Sequence, residues 1–170
     1  MTEGSATLIL EEMESAKARG VHIYGEVLGS GSTADAHHIT APAPGGDGAL
    51  RCMQLAIEDA GLSSNDIASI NAHGTSTPLN DAAEAEALSK LFGDNGPPVT
   101  STKGITGHAL GAAGAIEATA VLLSFIHKQI PPTSGFTTPD PEMAEFNLVT
   151  GSPQDWEPGP SMSNSFGFGG

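Results

Sequence analysis

The sequence is poor in three things, and each shortage excludes a class of function. Only six residues are basic (Lys17, Arg19, Arg51, Lys90, Lys103 and Lys128) against twenty acids, for a formal net charge of −14. Nucleic acid demands clusters of phosphate-neutralising cations, and an anionic membrane surface demands the same, so neither is an expected partner. A single cysteine, Cys52, excludes an internal disulfide and any cysteine-based zinc cluster. No apolar run reads as reaching the roughly 18 residues that cross a bilayer. The opening "MTEGSATLIL" lacks the basic start and apolar core of a signal peptide. The expected setting is therefore soluble: the cytoplasm, or a mitochondrial or plastid matrix.

What the chain does hold is enough for one domain. Its 170 residues can bury a real core, 38% are hydrophobic, and 22 are glycine. "ATLILEEM" reads as a strand leading into a short helix, "EEMESAKARG", with Lys17 and Arg19 in its last turn and Gly20 beyond. "VHIYGEVLG" reads as a second strand. Residues 29–48 have loop composition and are too many for a simple connector, so they are expected to carry contacts. "ALRCMQLAIEDAGL" sets Leu50, Met53, Ile57 and Ala60 at helical spacing. "DIASINAHG" runs from strand to loop, 81–92 reads as helix, and "PVTSTKG" as a short strand ending in a loop.

From Gly107 to Lys128 the pattern predicts one long helix, small-residue in its first half and leucine-type in its second. Each glycine costs a helix about 1 kcal/mol against alanine. Accepting that points to close backbone approach, hence a buried central helix. After the proline-rich surface segment "PPTSGFTTPDPE" come two strand candidates, "FNLVT" and "SMSNSF". Alternating strands and helices define an α/β layered fold.

Three stretches place reactive or flexible groups among glycines at element boundaries: "NAHGTSTP", "STKGITGHALGAAGAIE" and "NSFGFGG". Loops at such boundaries are where function concentrates. Two histidines on them, His73 and His108, can aim ring N–H donors at one substrate oxygen. Preorganised donors of this kind stabilise a developing oxyanion by roughly 2.7–4 kcal/mol each. Lys103 could hold a carboxylate or orient its neighbours. Glu117, nine residues after His108, would lie about 13 Å further along a shared helix, and reads as a partner of Lys103 rather than a reactant. His22, His37, His38 and His127, taken singly, read as structural or surface residues. The His37–His38 pair lacks a third metal ligand. "GITGHALGAAG" matches neither phosphate-loop pattern. Cys52, on an apolar helix face, reads as a small buried hydrophobe.

In combination these motifs resemble the C-terminal half of a β-ketoacyl-acyl-carrier-protein synthase of the elongating type, within the thiolase-like superfamily. The resemblance covers nearly the whole chain, through "EGSATLILEEMESAKARG", "DAHHITAP", "NAHGTSTPLND", "STKGITGH", "PDPE" and "NSFGFGG". Initiating synthases pair histidine with asparagine, and thiolases use a second cysteine. Two histidines plus a lysine therefore favour the elongating class, and the details look closer to the discrete enzymes than to modular polyketide ketosynthases. A polyketide ketosynthase fragment, or a non-catalytic partner or scaffold subunit, remains the alternative; retention of all three residues argues against a scaffold.

The resemblance implies half of a five-layered α-β-α-β-α fold and a decarboxylative Claisen condensation in fatty-acid elongation. His73 and His108 would donate to the malonyl thioester oxygen as it becomes an enolate, and Lys103 would hold the local network with Glu117. Thr75 and Thr77 would bind the pantetheine arm, with Phe166 beside the substrate. Phe168 would gate the nucleophile, and the glycines around it would let that loop move. Asn71, Glu84, Glu117, Ser163 and Asn164 would surround a structural monovalent cation. The chemistry itself would need no cofactor beyond the carrier protein's phosphopantetheine. Acyl carrier protein, the missing N-terminal half and a second subunit in a homodimer would be the partners. Carrier proteins are acidic, so a −14 chain would repel them, and the docking patch is expected on the other half.

The family's nucleophilic cysteine has no counterpart here, since Cys52 lies on the wrong helix. The family continues past Gly170, has more glycine before the opening motif, and commonly has asparagine where Gly135 stands. These departures predict a single C-terminal domain over residues 1–170, truncated at both ends and inactive alone in condensation. They also predict an apolar face that recruits a partner or self-associates.

Overall fold

The computed structural model describes residues 1–168, the side chain of Asp94 apart. Its centre is a three-stranded parallel sheet in the order β2-β1-β5, formed by β1 (Ser69–Asn71), β2 (Val99–Thr100) and β5 (Ser161–Ser163). Asn71 stands mid-sheet, opposite Thr100 on one side and Ser163 on the other. β1 is buried throughout, as expected of a strand covered on both faces. "FNLVT" adds only a bridge, Leu148 opposite Val99. A second, antiparallel pair, β3 (Gln129–Ile130) with β4 (Gln154–Asp155), has no signal in the sequence pattern.

Helices α2 (Asp47–Asp59) and α3 (Pro78–Phe92) cover one face of the sheet. Met53 and Ile57 of α2 meet Ala87 and Leu88 of α3, and Ile70, Val99 and Met162 from the sheet close the core. The helical spacing of Met53 and Ile57 is realised as read. α3 begins three residues before the predicted start, because Thr77 has extended backbone at the N-cap and Pro78 takes the first turn, where its missing N–H is no loss.

α1 (Met13–Arg19) ends on Gly20 in left-handed conformation, φ +67°. The two strands expected around it do not form. Residues 1–11 and 21–35 have no regular secondary structure, and Ile9, Leu10, Tyr24 and Val27 are largely exposed. A strand needs a neighbour for its N–H and C=O groups, and no sheet lies alongside among the described residues. Residues 29–46 are irregular apart from a short turn, as their composition predicts, and they pack on α2: the Cys52 thiol donates to the Gly31 carbonyl at 3.2 Å.

The single long helix from Gly107 is also corrected. α4 (Lys103–Thr106) occupies what reads as loop, Gly107 (φ +67°) stops it, and α5 spans Ala113–His127. Of α5 only Ala113 and Glu117 are buried, so it is not a buried central helix in this chain. Its outer face, with Leu123 and Ile126, has no covering layer among the described residues. A further correction concerns apolar length. Leu110–His127 is, by length and composition, long and apolar enough to cross a membrane. A buried, ion-paired glutamate at position 117 nevertheless sits in its middle.

Candidate active site

Parallel strands gather whatever follows them at one edge, and sites in such sheets lie outside the carboxyl ends. His73 follows β1 by two residues, Lys103 follows β2 by three, and Asn164 and Phe166 follow β5. The sheet thus brings together residues far apart in sequence.

His73 is held from behind. Its backbone N–H donates to Glu84 Oε1 and that of Gly74 to Glu84 Oε2, both at 2.9 Å. Asn164 Nδ2 donates to the same Oε1 at 3.0 Å and to Met53 Sδ at 3.4 Å. Glu84 is thus a fully enclosed carboxylate with three donors. Burial nonetheless pushes its pKa up, against the lowering effect of those hydrogen bonds.

The rings of His73 and His108 meet edge to face, centroids 5.4 Å apart at 86°, and Phe166 adds a second edge contact to His73 at 5.8 Å. Loss of water around the His73 ring, then the Lys103 charge and His108, lower its pKa to about 4. The ring is therefore neutral at pH 7. His108 is not on the helix; it sits on the irregular turn before Leu110–Ala112. There its Nδ1 accepts the Leu110 N–H at 3.3 Å. A neutral ring that accepts at Nδ1 carries its proton on Nε2, so His108 is fixed as a donor. Leu110 itself takes positive φ, +51°.

Lys103 and Glu117 form a buried ion pair through Nζ and Oε1, as the sequence suggested, although not along a helix shared with His108. The other carboxylate oxygen, Oε2, is buried without a partner, as are Asn71 Oδ1, His73 Nδ1 and Thr102 Oγ1. Asn71 Nδ2 reaches Ser163 Oγ at 3.5 Å. Thr75 and Thr77 share a hydrogen bond between their hydroxyls at 2.9 Å; Thr75 is half-buried and Thr77 exposed. Phe168 is 85% exposed. Gly169 and Gly170, also assigned to the moving loop, lie outside the described residues.

Sequence reasoning missed three supports: Leu110, Ser101, whose Oγ donates to the Gly74 carbonyl at 3.0 Å, and Thr133, whose Oγ1 accepts the Ser101 N–H at 3.1 Å. Leu110 had a signal in its place beside glycine, just after the histidine. The other two had none beyond lying next to a strand end or a proline pair.

Residues 24–137 match the family model "Beta-ketoacyl synthase, C-terminal domain". The whole chain aligns at 49% identity with 42% of 3-oxoacyl-[acyl-carrier-protein] synthase 2 of Staphylococcus aureus. Over 94% of its length it superimposes on 38% of a β-ketoacyl synthase from Burkholderia phymatum STM815, with a TM-score of 0.89 and 41% identity. A type II polyketide ketosynthase, solved in complex with its acyl-carrier protein and bound to the hexaketide, matches with a TM-score of 0.87 at 36% identity over 94% of this chain and 40% of that one. The α/β architecture is that of the ketosynthases, and the chain belongs to the β-ketoacyl synthase family as its C-terminal domain. It spans about two fifths of the length of the curated relatives it matches.

Proposed function

We propose that this chain supplies the decarboxylation half-site of a fatty-acid-elongating β-ketoacyl-acyl-carrier-protein synthase. The observation that carries the reading is the His73–His108 pair: two adjacent rings, one neutral by burial and one fixed as an Nε2–H donor. A malonyl thioester losing carbon dioxide leaves its bonding electron pair as an enolate, with the charge on the thioester oxygen. Ring donors aimed at that oxygen matter only once charge has built up, so they lower the barrier rather than merely bind. The enolate carbon then attacks an acyl thioester and expels the thiolate that carried it. That thiolate belongs to the part of a synthase that this chain does not contain.

Lys103 and Glu117 set the field around the histidines. Thr75, half-buried, and Thr77, exposed, follow His73 along the same loop and suit a phosphopantetheine arm. Phe166 packs the approach. In this reading the exposed Phe168 serves as the gate over the nucleophile. The chemistry needs no cofactor of its own. A monovalent cation fits in part: Asn71 Oδ1 and Glu117 Oε2 are buried acceptors without partners, whereas Glu84 and Asn164 already satisfy each other. Among the described residues no three His, Cys, Asp or Glu cluster, so such a cation would rest on amide and hydroxyl oxygens as well. With the reading come a carrier-protein partner, the remaining half of the synthase, a homodimer and a soluble cytoplasmic or matrix setting.

Polyketide extension is the second reading, favoured by the ketosynthase bound to the hexaketide among the structural relatives. The 49% identity to the fatty-acid enzyme weighs against it. The test is to supply the cysteine-bearing half in trans and measure malonyl-thioester decarboxylation. His73→Ala should reduce the rate by about 10²–10³, as should His108→Ala. Decarboxylation that survives His73→Ala overturns the assignment.

A further inference from the structure

We propose that Ser101 and Thr133 are positioning residues that lock the loop carrying His73 to the turn carrying Lys103. The inference rests on the proposed half-site for its catalytic meaning, but its geometry stands separately. β2 ends at Thr100, and the buried Ser101 that follows faces two ways. Its Oγ donates to the Gly74 carbonyl at 3.0 Å, and its backbone N–H donates to Thr133 Oγ1 at 3.1 Å. Thr133 is itself anchored, its N–H donating to the Val149 carbonyl at 2.8 Å, while Val149 N–H returns to Val99 at the start of β2.

The segment around Thr133 clamps the Lys103 turn along its length. Thr100 Oγ1 donates to the Pro131 carbonyl at 2.6 Å. Gly104 comes so close to Ser134 that a Cβ there would fall 2.2 Å from the Ser134 carbonyl oxygen. On the other side Gly74 takes φ +42°, and a Cβ on it would fall 2.6 Å from Ser101 Oγ. Each loop is therefore pressed against the other with no room for a side chain between them.

The consequence is a complete grip on the peptides beside His73. Glu84 takes the N–H groups of His73 and Gly74, and Ser101 takes the Gly74 carbonyl. Three hydrogen bonds to two consecutive residues leave those peptide planes no alternative orientation. Ser101 and Thr133 touch no reacting atom. They act through the His73 backbone, and a misplacement near 1 Å at a reacting group can lower a rate by about 10²-fold.

The informative variant is Thr133→Val, which keeps the shape and removes the acceptor; Thr133→Ser keeps the acceptor and serves as the rescue. Ser101→Ala removes the other bond. The first readout is the ring-to-ring nuclear Overhauser effect between His73 and His108 in the 170-residue chain, which needs no turnover. Thr133→Val and Ser101→Ala should weaken it at least about threefold, and Thr133→Ser should leave it near the parent value. In the complete synthase, Thr133→Val should lower kcat for decarboxylation about tenfold with KM within about twofold. A parent-like ring contact in Thr133→Val overturns the proposal whatever turnover does. An unchanged kcat overturns it equally, once His73→Ala has been shown to abolish decarboxylation. If His73→Ala leaves decarboxylation intact, the half-site reading fails, and the ring contact alone decides on positioning. Should Ser101→Ala fail to fold, the Thr133 pair decides.

Discussion

Asn164 Nδ2 and the backbone N–H of His73 converge on one oxygen, Oε1 of Glu84, at 3.0 and 2.9 Å. The end of the chain and the histidine loop, 91 positions apart in sequence, are thus tied through one carboxylate on α3. Glutamine at position 84 would present an amide donor where at least one donor already points. We expect Glu84→Gln to lower stability by about 1–3 kcal/mol, even though it removes a buried charge. Urea unfolding of parent and variant measures this; an unchanged midpoint would show that the carboxylate is not needed as an acceptor.

The protonation of His73 gives a pH prediction. Its pKa falls from 6.5 to about 4, through burial first, then the Lys103 charge and His108. Below about pH 6.5 an unfolded chain takes up a proton that the folded chain refuses, so this group withdraws stability as pH falls from about 6.5 to about 4. Glu84 acts in the opposite sense: burial raises its pKa, so the folded chain gains stability as pH falls through that raised value. Stability curves carry both effects, whereas ring resonances separate them. We expect the His73 ring to stay neutral at pH 5 and to titrate near 4 by NMR. A midpoint near 6.5 would contradict the enclosed setting.

Lys103 and Glu117 separate stability from function. Removing one member strands a buried charge, and Lys103→Met should destabilise by about 3–5 kcal/mol. Adding Glu117→Leu removes the stranded partner and should restore most of that loss, since apolar replacements of buried pairs are often neutral. Decarboxylation by the completed synthase should stay low in the double variant. Recovery of both properties together would make the pair structural only.

The uncovered face should announce itself in solution. Ile9, Leu10, Tyr24, Val27, Leu123 and Ile126 stand exposed, and apolar patches of several hundred Å² recruit partners. Light scattering after size exclusion should show self-association of the isolated chain at high concentration, reduced by Ile9→Lys with Val27→Lys. A monodisperse monomer would count against this.

Much of the site was legible in the sequence because its signals are local. A histidine flanked by alanine and glycine after an apolar run marks a strand end, and the alanine- and glutamate-rich stretch after it marks a helix, although its start at Pro78 lies three residues before the one read. The Lys103–Glu117 pairing followed from charge, since the lysine could hold a carboxylate and Glu117 reads as too far along for a reactant. What failed depended on partners absent from the pattern. "ATLIL" and "VHIYGEVL" have strand composition, but strands exist only in pairs. The helix predicted from Gly107 began late because Gly107 and Leu110 both take positive φ, which residue spacing does not reveal. Ser101 and Thr133 were invisible because a serine bonded to a distant carbonyl looks, in sequence, like any other serine.

The three central strands run to only eight residues, and side chains alternate faces along each. A slip of one residue in β5 would bring Ser163 opposite Ile70 in place of Met162, and would turn Asn164 away from Glu84. Apolar burial and the carboxylate clasp would fail in the same step. A chain assembled out of register would therefore be silent rather than mistaken, and proofreading of the fold is already contained in the chemistry it serves.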